Sequence, residues 1–147
     1  RFKALHNASF SGIAIHDKGR ILDCNEGLSK VSGYTTKELI GMDGLLLIDE
    51  GSRDLVMKNI LSFYEDPYEV IGIRKNKETY PLRLEAKEIP YKGKKARVVE
   101  FRDITEQKIG EENLKVAKEK AEDSDRMKTA FLQNLSQQIF FHSFYFF

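Results

Sequence analysis

Tryptophan is absent from this chain of 147 residues, cysteine occurs once, proline three times, and 24 Lys plus Arg nearly cancel 23 Asp plus Glu to leave +1. Each shortage excludes something. A lone Cys24 closes no internal disulfide and builds no multi-cysteine zinc or iron-sulfur site, because both need several thiolates at one point. That usage suits a reducing compartment, and the expected location is cytoplasmic. A charge of +1 sets up no long-range field toward polyanions, so nucleic acid is not an expected partner. No run approaches the roughly 18 apolar residues that span a bilayer, so no membrane span is expected, although a longer parent could be anchored elsewhere. The start at Arg1, with neither an initiator Met nor a signal-peptide pattern, is what a piece of a longer protein would show.

What is present divides into three stretches. Residues 1–105 carry 18 basic and 16 acidic residues among short apolar runs, and eight of the ten glycines fall before residue 80, the punctuation of a mixed domain with many turns. Residues 106–139 hold one Gly, no Pro and 13 charges, with apolar contacts at Ile109, Leu114, Ala117, Ala121, Met127, Phe131 and Leu135. This spacing predicts one long helix of roughly 50 Å, longer than a small domain is wide, that projects or pairs with a partner. Residues 140–147 contain six of the 16 aromatics. They read as a cloning or frameshift scar, with a sticky interface segment as the alternative.

Within the first stretch, Gly12 to Asp17 and Arg20 to Cys24, joined by an Asp17-Lys18-Gly19 turn, predict a hairpin. Ile13 and Ile15 alternate with Ala14 and His16. Asn25 is a plausible N-cap for the next helical turn, and Thr35 with Glu38 matches a capping box closed by Gly41. Ser52 to Tyr64 predicts a longer helix whose buried face carries Val56, Ile60, Phe63 and Tyr64, stopped by Asp66-Pro67. Three strands follow, Tyr68 to Arg74, Thr79 to Ile89 and Ala96 to Ile104. The expected fold class is α+β: five antiparallel strands with the helices on one side, and a long C-terminal helix.

Four blocks in this order carry a family resemblance: Phe2-Lys3-Ala4-Leu5 with Ser11-Gly12-Ile13; Gly19 to Asn25; Ser32-Gly33-Tyr34-Thr35-Thr36-Lys37-Glu38-Leu39-Ile40-Gly41; and Asp103-Ile104-Thr105-Glu106-Gln107-Lys108. On these residues the chain resembles a PAS, or sensory-box, domain of the kind that precedes bacterial sensor histidine kinases. Asp125 to Ser136 resembles the run that leads into the phosphoacceptor histidine of a kinase dimerisation helix. There Gln137 stands where the histidine would be, and a primary amide cannot take a phosphoryl group as an imidazole nitrogen does. His142 lies five residues further on without an acidic neighbour and is not expected to replace it. No ATP-binding region is present, so this stretch is not expected to be an enzyme, while the resemblance implies a parent that is a sensor kinase.

The resemblance also implies a signal outlet at Asp103, Ile104 and Thr105, where the last strand hands over to the long helix. The bland reading, compatible with it, is a helix cap by Thr105 with a local polar contact by Asp103. A PAS fold can enclose a ligand, and the pocket candidate comprises Ile15, Leu28, Val31, Leu39, Leu46, Val56, Ile60, Leu84 and Val99. Such residues are core first, and no convergent polar group shows in the sequence to fix a ligand. Lys92, Lys94, Lys95 and Arg97 read as a solvated hairpin tip. The cofactor is left unknown. Cys24 lacks the helix context of the flavin-reactive cysteine in photoreceptor relatives, the Ser52 to Tyr64 helix offers no axial histidine for haem, and His6 and His16 suit surface or structural roles.

The leading functional expectation is a noncatalytic module of a two-component kinase that senses a small molecule or partner and relays the change through the C-terminal helix to the kinase core. Leu114, Ala117, Ala121, Ser124, Phe131 and Leu135 approximate a heptad seam, broken by Lys128, for a parallel homodimer. The alternatives are a haem or flavin receptor and a purely structural dimerisation module.

Overall fold

The computed structural model describes residues 11–145, with side chains as far as Gln137. Phe2 to Leu5 and His6 lie outside the described residues, as do the side chains of His142 and of the aromatics from Phe140 onward. The chain divides into two units at Glu106.

In the first unit, β1 (Gly12–Asp17) and β2 (Arg20–Cys24) form a hairpin, followed by α1 (Glu26–Ser32), α2 (Thr36–Leu39), a 3-10 turn (Gly44–Leu47) and α3 (Glu50–Leu61). Strands β3 (Tyr68–Ile73), β4 (Thr79–Tyr91) and β5 (Lys94–Asp103) complete a single antiparallel sheet in the order β2-β1-β5-β4-β3. Two hairpins close through two-residue turns with both residues at positive φ, Lys18 and Gly19 in one, Lys92 and Gly93 in the other. That left-handed geometry matches the twist of the flanking strands. The β4–β5 ladder is the longest, running from Leu82↔Asp103 to Tyr91↔Lys94.

The helices gather over one sheet face, where Ala14, Leu28, Leu39, Leu47, Leu82 and Phe101 belong to one buried cluster. Strand β1 sits between β2 and β5 and is buried on both faces, so its alternation does not separate core from solvent. Ala14 joins the helix-side cluster, whereas Ile15, also wholly buried, pairs with Val98 and takes the other face.

The segment from Gly41 to Asp49 crosses from one edge of the sheet to the other. Beside β2, Gly41 N–H donates to Ile21 C=O (2.7 Å) and Gly44 N–H to Gly19 C=O (2.7 Å). Beside β3, Asp49 N–H donates to Ile71 C=O (2.9 Å), and Ile48 bridges Gly72. Gly72 is required there, because a Cβ would lie 2.6 Å from the Tyr80 ring.

Helix α3 ends earlier than its sequence pattern predicts. Its last residue is Leu61, Phe63 turns the chain at φ +56°, and Phe63 and Tyr64 are exposed instead of extending the buried face. A left-handed residue breaks the helical phase, so spacing counted across it loses meaning.

The second unit is the body of α4 (Thr105–Tyr145), which runs past residue 139, where the sequence pattern ends the helix. Its apolar side chains at Leu114, Met127, Phe131 and Leu135 are exposed, and Gln137 is exposed as well. Among the described residues no helix is long and apolar enough to cross a membrane.

Candidate functional site: a cavity and the strand-to-helix junction

Asn25 builds the first corner of the site. Its Oδ1 accepts from Leu28 N–H (3.0 Å), capping α1, and from Ile13 N–H (2.8 Å), while Nδ2 donates to Ser11 C=O (3.2 Å). The side chain is 1% exposed, so these bonds form out of water and fix α1 against β1. Gly27 permits the approach, since a Cβ there would stand 2.3 Å from Ser11 C=O. The Thr35–Glu38 capping box at α2 is present but exposed. A hydrogen bond from Lys75 and one from the Thr35 amide hold the Glu38 carboxyl at about 2.

Between the sheet and α3 lies a cavity of about 40 Å³. Of the pocket candidate, Val56, Ile60, Leu84 and Val99 line it, joined by Ala14, Ile21, Leu45, Ile48, Ala86 and Phe101. Five predicted members do not reach it. Leu28 and Leu39 are wholly buried elsewhere in the core, Val31 packs at its margin, and Ile15 takes the opposite sheet face. Leu46 is 48% exposed, because within the tight 3-10 turn Leu45 and Leu47 take the inward positions.

Three polar side chains line the same cavity, His16, Tyr68 and Arg97. Arg97 corrects the solvated-tip reading of the basic cluster. It shares the parity of Val99 and Phe101, faces inward and is 7% exposed, while Lys94 and Lys95 stay outside. Its Nη2 donates to Tyr64 C=O (2.5 Å). Nε and Nη1 are buried and find no acceptor. His16 is equally enclosed at 6% exposure and accepts Gly19 N–H at Nδ1 (3.0 Å), which leaves the proton on Nε2 of the neutral ring. Burial, and then the positive charge of Arg97, press its pKa from 6.5 to about 4, with Asp17 opposing. Burial likewise pushes the Tyr68 phenol above its ordinary range. Cys24 is buried at the end of β2, outside any disulfide and packed within the apolar cluster.

The junction at the end of β5 is the second part of the site. Asp103 Oδ1 accepts Thr105 N–H (2.9 Å) and the Thr105 hydroxyl (2.5 Å), and Oδ2 accepts Arg74 Nη2 (2.6 Å). Ile104 is buried and its N–H donates to Pro81 C=O (3.1 Å). Burial alone would raise the Asp103 carboxyl, but the bonds from Thr105 and Arg74 outweigh it and hold the group below the usual range. Arg74 ties in further elements. It donates to Val31 C=O at the end of α1, pairs with Glu78 (3.0 Å), and lies 3.9 Å over the Tyr80 ring. Burial disfavours its charge, yet Asp103 and Glu78 raise its pKa overall. Nothing in the sequence marks Arg74 as a link, since Val31 and Asp103, the partners that join it to α1 and to the start of α4, lie far along the chain.

A five-stranded antiparallel sheet curled over short helices, with a cavity beneath it and an exit helix anchored at the last strand, defines an α+β cavity domain. The same architecture occurs in the PAS domain of a protein from Colwellia psychrerythraea, which superposes with a TM-score of 0.63 at 20% identity, covering 70% of this chain and 93% of that one. A domain of a sensory box sensor histidine kinase/response regulator from Geobacter sulfurreducens matches at 25% identity and TM-score 0.55, over 69% of this chain and 90% of that one. The chain belongs to the PAS domain family, whose model matches residues 10–106. The cell-division control histidine kinase PdhS of Brucella abortus is 30% identical over 146 residues, covering 93% of this chain. The chain spans 14% of the length of that relative.

Proposed function

We propose that this PAS domain is the input module of a two-component histidine kinase, which senses a small molecule or partner and relays the change through α4. The observation that carries this reading is the Asp103 carboxylate. One oxygen is bound at the start of α4, and the other at Arg74, whose remaining donors reach β3–β4 and α1. A shift of the sheet or of α1 is thereby felt at the first turn of the exit helix. The alignment with a histidine kinase along 93% of the chain supports the same output. Gln137 stands at the phosphoacceptor position, so the chain regulates phosphoryl transfer without accepting phosphate there.

The test is Asp103→Asn in this chain joined through its own α4 to a histidine kinase core. Asn keeps an acceptor for Thr105 but loses the charge that holds Arg74. Basal autophosphorylation should change several-fold while the domain's melting temperature moves by only a few degrees. An unchanged rate in a folded variant would overturn the relay.

The second half of the reading is pairing through α4 with a second copy. Leu114 and Phe131 are 72% and 64% exposed on their helix, and a parallel partner would cover them. Sedimentation of the 147-residue chain should show a dimer that Phe131→Asp converts to monomer. A wild-type monomer at high concentration would remove the homodimer from the proposal.

A further inference from the structure

The cavity's polar inventory is one-sided. Arg97 spends Nη2 on Tyr64 C=O, while Nε and both N–H groups of Nη1 have no acceptor, in a side chain 93% buried. Leaving such donors unmet costs more than an ordinary hydrogen bond returns, and more still for a charged group. Among the described residues no Asp or Glu lines the cavity. Glu88, directly across the ladder, lies 3.7 Å from Lys95 Nζ instead. His16 is held as the neutral tautomer with its donor on Nε2, so it adds a second donor and no charge. Among the described residues the cavity wall therefore carries one buried cation, with His16 Nε2–H and the Tyr68 hydroxyl as its other polar groups and no carboxylate.

The remaining wall sets the class of anion that would suit this cation. Val56, Ile60, Val99 and Phe101 are apolar, which does not suit a phosphate or sulfate whose every face needs a donor. A volume of about 40 Å³ corresponds to roughly three water positions at ~10–15 Å³ each. We propose that the cavity binds a short-chain aliphatic monocarboxylate of acetate or propionate size, its carboxylate against the Arg97 guanidinium and its alkyl end among Val56, Ile60 and Val99. This rests on the small-molecule arm of the function proposed above and supplies its ligand class.

Calorimetric titration of the full chain at constant ionic strength tests it with sodium acetate and propionate against acetamide and propionamide, their neutral shape-matched counterparts. Saturable binding of the carboxylates at one site is expected, with the amides at least 10-fold weaker. Arg97→Met, which keeps the stem and removes the charge, should weaken carboxylate binding by about 10- to 100-fold, the worth of charge-assisted hydrogen bonds. Val56→Phe fills the cavity from α3 without touching Arg97 and should abolish binding, so the site is tested even where Arg97→Met does not fold. Equal affinity for acid and amide would overturn the carboxylate assignment while leaving a small-molecule sensor in place. Carboxylate binding that survives Val56→Phe would place the site elsewhere and overturn the proposal. No binding of either series would overturn the proposal and leave the small-molecule input and the Asp103 relay to their own experiments.

Discussion

Asn25→Ala should remove about 2–4 kcal/mol of folding stability. The substitution deletes the N-cap of α1, typically about 1 kcal/mol, and also removes the Asn25 bonds to Ile13 N–H and Ser11 C=O, made by a side chain itself shut off from water. A domain of this size has only about 5–15 kcal/mol in hand, so the variant would unfold at markedly lower denaturant. Thr35→Ala is the matched control. It deletes a cap of the same chemistry on α2, but an exposed one, and water takes over the freed amide. Urea unfolding followed by tyrosine fluorescence should rank Asn25→Ala well below Thr35→Ala. Equal losses would mean that burial adds nothing to the cap and would refute the account.

The second large effect is an acid-side loss of stability centred on His16. Its folded pKa is about 4 against 6.5 for the free side chain, so between those values the unfolded chain binds a proton that the folded chain refuses. Stability therefore rises with pH across this window, is fully present above about 6.5, and is lost as the pH falls toward 4. The displacement corresponds to roughly 3 kcal/mol. The physical cause is desolvation of an imidazolium first and repulsion from Arg97 second, with Asp17 giving partial relief. His16→Asn keeps an acceptor for Gly19 N–H but does not titrate, and should flatten the profile between pH 7.5 and 4.5. If denaturation midpoints of the variant fall with acid as steeply as those of the wild type, other groups carry the effect.

Much of the scaffold was legible because its signals are local. The turn that contains Lys18 and Gly19, the Asn25 cap and the Thr35–Glu38 box each depend on residues within a few positions, and they stand where their chemistry puts them. The cavity was less legible. Arg97 follows three lysines closely, and charge clustering concealed its strand parity with Val99 and Phe101, the one signal that points it inward. Of the alternating residues of β1 only Ile15 entered the pocket candidate, whereas the strand is buried on both sides and Ala14 and His16 line the cavity. Arg74 left no trace at all. Its contacts with Val31 and Asp103 join segments 43 and 29 residues apart, which only tertiary structure brings together.

The crossing segment from Gly41 to Asp49 acts as a hoop around the sheet. With one end bonded to β2 and the other to β3, it occupies both outer strands at once. Edges left open would recruit strands from other molecules, and here each is partly taken by the chain itself. The hoop also sets how the interior can grow: widening across the strands would have to break bonds at one rim or the other, whereas lengthening along them would not. A guest too broad for the present space is thereby refused by main-chain bonds, which no exchange of a lining side chain can relax.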